Sequence, residues 1–365
     1  MKILTGIDLP CDSPGGSVEL LRDLYLGAPP LVPADVFMLP PATAADSTSS
    51  DTSGVRLLPA ADKALSGPAF RSYVQKLEAS IGAAFTMEDY HVVHLQHLTF
   101  GATPALLSAL PHAATIALVH GTDLLVAAED RTQAQVLRDT VAAADAVVVP
   151  ALAMADRLRR LAPAAGRLVH IPWGVPDHLL THRPRRAPRR PDVLRVLYAG
   201  RLSGEKITSR IIAATAGVAG VQLSVAAPPE QFTRLAETAG LVGVHHLGWL
   251  PRHLLWQEFT RYDLLIVPSL KLEAFGLVAI EAQACGLPVA YQPVPGLIEI
   301  LGDSAVAVDF ADPAALAAAL QRLRRAPASL DELAEAGFAN SAHYPLSRTA
   351  ASLRQLSAEL LAGRS

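Results

Sequence analysis

The chain has 365 residues, 51% of them hydrophobic and 18% charged, with 31 Lys and Arg against 34 Asp and Glu. That length favours two domains over one, and a net charge of −3 gives no whole-molecule attraction to nucleic acid or to an anionic membrane. The two cysteines, Cys11 and Cys285, are too few for a disulfide framework and read as thiols of a reducing cytoplasm. Met1–Asp8 is too short and too soon interrupted to read as a signal peptide, and no apolar run approaches the ~20 residues that span a membrane, so stable membrane insertion is not expected.

In chain order, short β-branched runs alternate with Ala- and Leu-rich stretches of helical spacing. Strands are predicted at Lys2–Ile7, Thr115–His120 and Asp145–Pro150, where apolar residues do not alternate with polar ones. Helices are predicted at Ser17–Leu26, Thr103–Leu110, Gln133–Ala143 and Met154–Leu161. Pro41 to Gly54, rich in Ala, Ser, Thr and Asp, reads as a surface loop. Arg183 to Pro191 suits neither helix nor strand and reads as a solvated linker near a domain junction, a phosphate or membrane contact being the alternative.

The second half repeats the scheme. Strands are predicted at Leu194–Ala199, Gln222–Ala226, Leu264–Val267 and Pro288–Tyr291. Helices are predicted at Ile207–Gly217, Glu230–Ala239, Leu254–Tyr262 and Gly276–Ala284, and a last helix at Ser347–Leu361 follows Tyr344-Pro345. Strand–helix alternation on both sides of the break predicts an α/β chain of two doubly wound, Rossmann-like domains, 1–172 and 173–345.

The densest chemistry lies between Leu264 and Val289. A strand ends at Pro268-Ser269, a loop carries Glu273, and a helix begins near Gly276 with Glu281 still close to its N-terminal end. Glycine at a helix start lets backbone approach a ligand, and the unpaired N–H groups there favour an anion. Carboxylates repel phosphate, so Glu273 and Glu281 are assigned to hydroxyls: a sugar and a ribose flanking a diphosphate would suit them. Arg201 and Lys206, five apart on the loop Gly200–Lys206, carry cations able to neutralise a diphosphate leaving group; surface cations are the plain alternative.

The run Glu273-Ala-Phe-Gly-Leu-Val-Ala-Ile-Glu281, continued by Gly286-Leu-Pro288-Val289, resembles the E-x7-E signature of retaining GT-B glycosyltransferases of family GT4. The resemblance implies that Glu273 contacts donor-sugar hydroxyls, that Glu281 binds the nucleotide ribose, and that the Phe275, Gly276 and Leu277 amides face the diphosphate. Gly200-Arg201-Leu202 with Lys206 resembles the family's diphosphate-neutralising stretch. His246–Pro251 resembles its base-binding turn, with backbone near Leu250 on the nucleobase. Pro295–Glu299 and Asp312-Pro313 fit its later pattern. Two places depart from it: Ala226-Ala227-Pro228, where Gly-Asp-Gly is usual, and Pro295-Gly296, where the family has a glycine pair before the position of Glu299.

In the first half, Ser13-Pro14-Gly15-Gly16-Ser17 makes a tight loop with a Ser helix cap that resembles the family's N-terminal Gly-Gly loop, placing Gly15 and Gly16 on the donor. His120 stands where the family places a histidine beside the donor sugar; a packed core histidine is the alternative. Asp123 is assigned to orienting that loop or touching acceptor. His91, His94 and His97 recur every three residues, but no acidic or cysteine cluster accompanies them, so His94 and His97 are expected to contact acceptor rather than metal. The chain has no Asp-x-Asp motif, so no cofactor and no essential metal is expected.

The resemblance further implies a cleft between domains, with the last helix (346–365) crossing back to the first. It also implies a nucleotide-sugar donor and transfer with retained configuration. The Arg- and Ala-rich composition and the loop-rich first half point to a small polar acceptor, such as an aminocyclitol intermediate of antibiotic biosynthesis. The alternatives are a lipid or polysaccharide acceptor, a sugar-nucleotide epimerase of the same architecture, and a non-catalytic nucleotide-sugar sensor.

Overall fold

A strand with every residue buried has no solvent face and must lie in a sheet covered on both sides. Val92–Leu95, Ala114–Leu118, Ala146–Val149 and Leu264–Val267 sit in this way in the computed structural model, which describes residues 1–41, 54–59 and 63–364. The chain divides into two compact units, Met1–Trp173 with Leu346–Ser365, and Gly174–Pro345.

The first unit holds seven described strands: β1 (Ile3–Pro10), β2 (Asp35–Leu39), β3 (Val55–Leu57), β4 (Val92–Leu95), β5 (Ala114–Leu118), β6 (Ala146–Val149) and β7 (Leu168–His170). Their order is β3-β2-β1-β4-β5-β6-β7. The second holds β8 (Leu194–Ala199), β9 (Val221–Ala226), β10 (Val244–Gly248), β11 (Leu264–Val267), β12 (Val289–Tyr291) and β13 (Val306–Ala307), ordered β10-β9-β8-β11-β12-β13. The pairings are parallel throughout both sheets. In each sheet the winding reverses between two central strands, β1 beside β4 and β8 beside β11. Ligands of such sheets bind outside the carboxyl ends at that reversal.

Each predicted strand and helix is present, with ends shifted by up to three residues. The largest strand shift is at β1, which runs on to Pro10. The short strands β3, β7 and β13 carry no periodicity and were not visible as such; β10 occupies part of what reads as the turn at His246. The first helix begins at Gly16 with Gly15 at its cap, so Ser17 lies inside the first turn and does not cap it. Pro41 to Gly54 lies outside the described residues apart from its two ends.

The last helix, Leu346–Ala362, belongs to the first unit. Its Thr349 hydroxyl donates to the Pro172 carbonyl at 2.8 Å, its Ser357 hydroxyl meets His94 Nε2 at 2.9 Å, and its Glu359 pairs with Arg167 at 2.9 Å. Burial of Leu353 and Leu356 supplies the apolar part of the contact.

The Arg-rich stretch is irregular, as its prolines require, but it is not simply solvated. Arg186 donates to the carbonyls of Gly286 at 2.9 Å and Phe259 at 3.4 Å, and to that of Tyr262. Burial lowers its pKa to about 10, aided by Arg189 and opposed by Asp263. Arg183 pairs with Glu335, and Arg189 with Asp331 at 2.8 Å. Nearby, Arg195 grips the buried Asp263 through Nε at 3.0 Å and Nη2 at 2.8 Å, fastening β8 to the entry of β11. The stretch is a strap across the base of the second sheet.

Replacing Arg186 by Ala strands three carbonyls and is expected to cost about 2–3 kcal/mol. Chemical denaturation measures this; a variant as stable as the parent would show that water replaces the guanidinium.

Candidate functional site

In the second unit the reversal between β8 and β11 brings two loops together. The loop after β8 carries Arg201 and Lys206, and the loop after β11 carries Ser269 and Glu273. They are tied by the Leu270 amide donating to the Glu205 carbonyl at 2.9 Å. Lys206 Nζ is ion-paired with Glu273 Oε2, to which the Ser269 hydroxyl also donates at 3.0 Å. Arg201 is half-buried, its carbonyl held by the Tyr198 hydroxyl at 2.6 Å. The Glu205 carboxyl lies below its usual range: burial would raise it, but its own amide, Ser203, Arg201 and Lys206 outweigh that.

Helix Leu277–Ala284 starts beside this pair. Gly276 at its cap has φ 83°, in the left-handed region, and an added Cβ would stand 2.6 Å from Leu297 Cδ2. No side chain caps this end, so its first amides are available to an anion. The Phe275 ring turns inward against Tyr344, edge to face at 5.3 Å. Position 296 has room only for glycine: a Cβ there would lie 2.0 Å from the Glu273 carbonyl oxygen, so glycine lets the helix Pro295–Leu301 support the Glu273 backbone directly.

Glu281 is buried one turn into the helix, and its carboxylate is already held. Arg252 donates to Oε1 through Nε at 3.0 Å and through Nη2, and the Trp256 indole donates to Oε2 at 3.2 Å. Arg252 also lies over the Trp256 ring, 5.2 Å from its centroid. Neither residue was singled out from sequence. Their spacing of four on helix Arg252–Phe259, directly after the turn at Leu250, was the available signal. Leu250 follows the carboxyl end of β10, on the same edge of the sheet. At the departure from the family pattern, the Ala227 amide donates to the Gly248 carbonyl at 3.0 Å and the Ala227 carbonyl meets His246 Nε2 at 2.9 Å, so that loop is closed by backbone and imidazole.

The first unit gathers His97, His120 and Asp123 beyond the carboxyl ends of β4 and β5, with Gly15 and Gly16 beyond β1. His120 packs against two rings: the Trp173 ring stacks on it at 5.6 Å and 24°, and the His97 ring stands tilted by 57° at 5.0 Å. Burial pushes its pKa down to about 3. Its Nε2 and the Trp173 indole nitrogen are buried without a hydrogen-bond partner among the described residues. Asp123 is fully buried and accepts from the amides of Leu124 at 3.0 Å, Leu98 at 3.3 Å and His120 at 3.4 Å. Burial raises its pKa to about 6 against the downward pull of those amides. It braces the two loops, and its orienting role is the one the geometry favours over acceptor contact.

His94 is corrected. It is not placed to contact acceptor: it lies within β4, fully buried, with Nδ1 at 2.8 Å from the Tyr25 hydroxyl and Nε2 at 2.9 Å from that of Ser357. Both ring nitrogens are spent inside the first unit, one on the first helix and one on the last, and burial lowers its pKa to about 4. His97 remains at the strand end, its ring edge to face with Phe100 at 5.1 Å.

Residues 15–174 match the model of a glycosyl transferase 4-like domain, and 183–339 that of glycosyl transferases group 1. A D-inositol 3-phosphate glycosyltransferase of Catenulispora acidiphila is 32% identical over 289 residues, which are 70% of this chain and 69% of the relative. Its counterpart in Streptosporangium roseum is 32% identical over 287 residues, 74% of this chain and 64% of the relative. The chain belongs to the GT4-like glycosyltransferases. Among solved structures, a sucrose-phosphate synthase from Thermosynechococcus elongatus superposes with a TM-score of 0.81 at 22% identity, covering 99% of both chains. Anabaena HepE in complex with UDP and glucose superposes with 0.75 at 17%, covering 98% of this chain and all of the other. These likenesses show the GT-B fold of the enzyme.

The buried histidines set a pH dependence. In the unfolded chain His94 and His120 take up protons below about 6.5, while folded they resist until about 4 and about 3, so stability falls as pH drops through that window. Asp123, raised to about 6, works in the opposite sense between about 4 and 6 and offsets part of the loss. The midpoint of denaturation is expected to fall from neutral pH to about pH 4.5, and less steeply in His94→Gln. An unchanged slope in that variant would refute the assignment.

Proposed function

We propose that the enzyme transfers a hexose-type sugar, with retained configuration and without an essential metal, from a nucleoside diphosphate to a small polar acceptor of the cyclitol class. The carrying observation is the cluster at the β8–β11 reversal: the Lys206–Glu273 pair, Arg201, and an uncapped helix start leading to Glu281. In this reading the first amides of helix Leu277–Ala284, with Arg201 and Lys206, take the diphosphate. Its charge grows as the glycosidic bond breaks, and prepositioned cations then stabilise the transition state more than the ground state. Glu273, already oriented by Lys206 and Ser269, takes donor-sugar hydroxyls; Glu281 takes the ribose, and backbone near Leu250 the base.

No carboxylate is assigned as a covalent nucleophile. The departing phosphate oxygen is assigned to accept the acceptor's proton as the new bond forms on the same face. His120, kept neutral by burial, serves as a hydrogen-bonding group beside the donor sugar, with the loops after β1 and β4, including Gly15, Gly16 and His97, on the substrate side of the first unit. The cyclitol class is supported by the relatives, which are named for D-inositol 3-phosphate.

Thermal-shift measurements with UDP, GDP, dTDP and ADP, followed by donor turnover, test the reading; no stabilisation by any of them would sink it. Lys206→Ala is expected to lower kcat by about 100- to 1000-fold. Glu273→Ala should abolish transfer while sparing nucleotide affinity more than Glu281→Ala does. Equal loss of affinity in both would overturn the division of roles.

A further inference from the structure

Most of the acceptor capacity of the Glu281 carboxylate is already taken. A carboxylate has about four lone-pair sites, two on each oxygen. Arg252 fills both on Oε1, through Nε at 3.0 Å and through Nη2. The Trp256 indole fills one on Oε2 at 3.2 Å. One site is left, on Oε2. The pair is well shielded, with side-chain exposures of 13% for Arg252 and 5% for Glu281, and a guanidinium in a two-pronged grip on a buried carboxylate is costly to dislodge. Trp256 is fixed in turn: Arg252 lies over its face at 5.2 Å and the His178 ring stands against it at 5.5 Å. Swinging the indole away would break both contacts.

We propose that Arg252 and Trp256 restrict Glu281 to a single ribose hydroxyl, so that the donor site depends strongly on one of the 2′- and 3′-hydroxyls and weakly on the other. Arg252 and Trp256 act through Glu281 and are positioning residues that set sugar-edge specificity for the nucleoside. The inference rests on the assignment of Glu281 to the ribose and adds how many hydroxyls it accepts.

Calorimetric titration of the full chain with UDP, 2′-deoxy-UDP and 3′-deoxy-UDP tests it, with the guanosine set in their place if GDP is the diphosphate that binds. One deoxy analogue should bind about tenfold or more weakly than the parent, the loss of a hydrogen bond to a charged acceptor, and the other within about threefold. Trp256→Phe keeps a ring under Arg252 and against His178 but removes the N–H, releasing the second site on Oε2. There the gap between the two analogues should narrow because the tolerated hydroxyl begins to count. Arg252→Lys, which gives Oε1 one donor direction in place of a fork, should narrow it in the same way and guards against a Trp256 variant that fails to fold. Equal losses for both analogues in the parent enzyme would overturn the inference while leaving Glu281 on the ribose. If UDP binds and neither analogue loses affinity, Glu281 takes no ribose hydroxyl and the inference falls with that assignment. If none of UDP, GDP, ADP and dTDP binds, the transferase reading itself fails.

Discussion

Two carboxylates beside an uncapped helix start, an end that attracts anions, are an electrostatic liability, and the second unit is arranged around relieving it. Each is given its own cation: Lys206 for Glu273 and Arg252 for Glu281. The cations come from different places, one on the loop after β8 and one at the start of helix Arg252–Phe259. Each pair thus also fastens one element to another. Without these partners the carboxylates would stand as unpaired, largely buried charge and would repel any anion at that helix start. The fold meets the requirement because β8 and β11 are parallel neighbours, so the loops that follow them emerge side by side at the same edge, where the winding reverses.

The partners differ in what they leave behind. Glu273 accepts from a flexible ammonium and a small hydroxyl, both on one oxygen, Oε2, which leaves Oε1 unclaimed by either. On the proposed assignment, that suits a group meeting sugar hydroxyls whose arrangement changes along the reaction. Glu281 accepts from a planar fork and an indole, rigid donors that spread over both oxygens. On the same assignment, that suits a group meeting a ribose that does not react.

Much of this was legible in the sequence where the physics is local. Buried parallel strands announce themselves as unbroken apolar runs, and Leu194–Ala199 and Leu264–Val267 are found at the residues expected. The segment from Glu273 to Glu281 needs only a strand end, a glycine and a helix to place its groups. What was not legible is long-range pairing. Nothing in the neighbourhood of Arg252 says that it meets Glu281, 29 positions on. Nothing in Arg183–Pro191 says that its central guanidinium closes three carbonyls from two other segments. Composition marks such a stretch as polar; only the fold decides whether its charges face water.

The histidines show the same limit from the other side. His94, His97 and His120 are alike to any local reading: apolar neighbours, strand ends, no acidic cluster. Their fates are set by what the fold brings to each ring. At His94 two hydroxyls, from Tyr25 on the first helix and Ser357 on the last, arrive on opposite nitrogens, so a buried imidazole is satisfied and becomes a three-way joint for the first unit. At His120 two aromatic rings arrive instead, Trp173 stacked on its face and His97 tilted against it. Stacking desolvates a ring without spending its nitrogens. The result is a neutral imidazole with Nε2 buried and unpartnered among the described residues, beside an indole nitrogen in the same state. Unsatisfied buried polar atoms are tolerated where something other than the protein is to satisfy them. The contrast therefore separates a histidine whose two nitrogens are spent inside the fold from one with a buried nitrogen left over, which the proposed reading gives to the donor sugar, on partner chemistry that no spacing of histidines along the chain encodes.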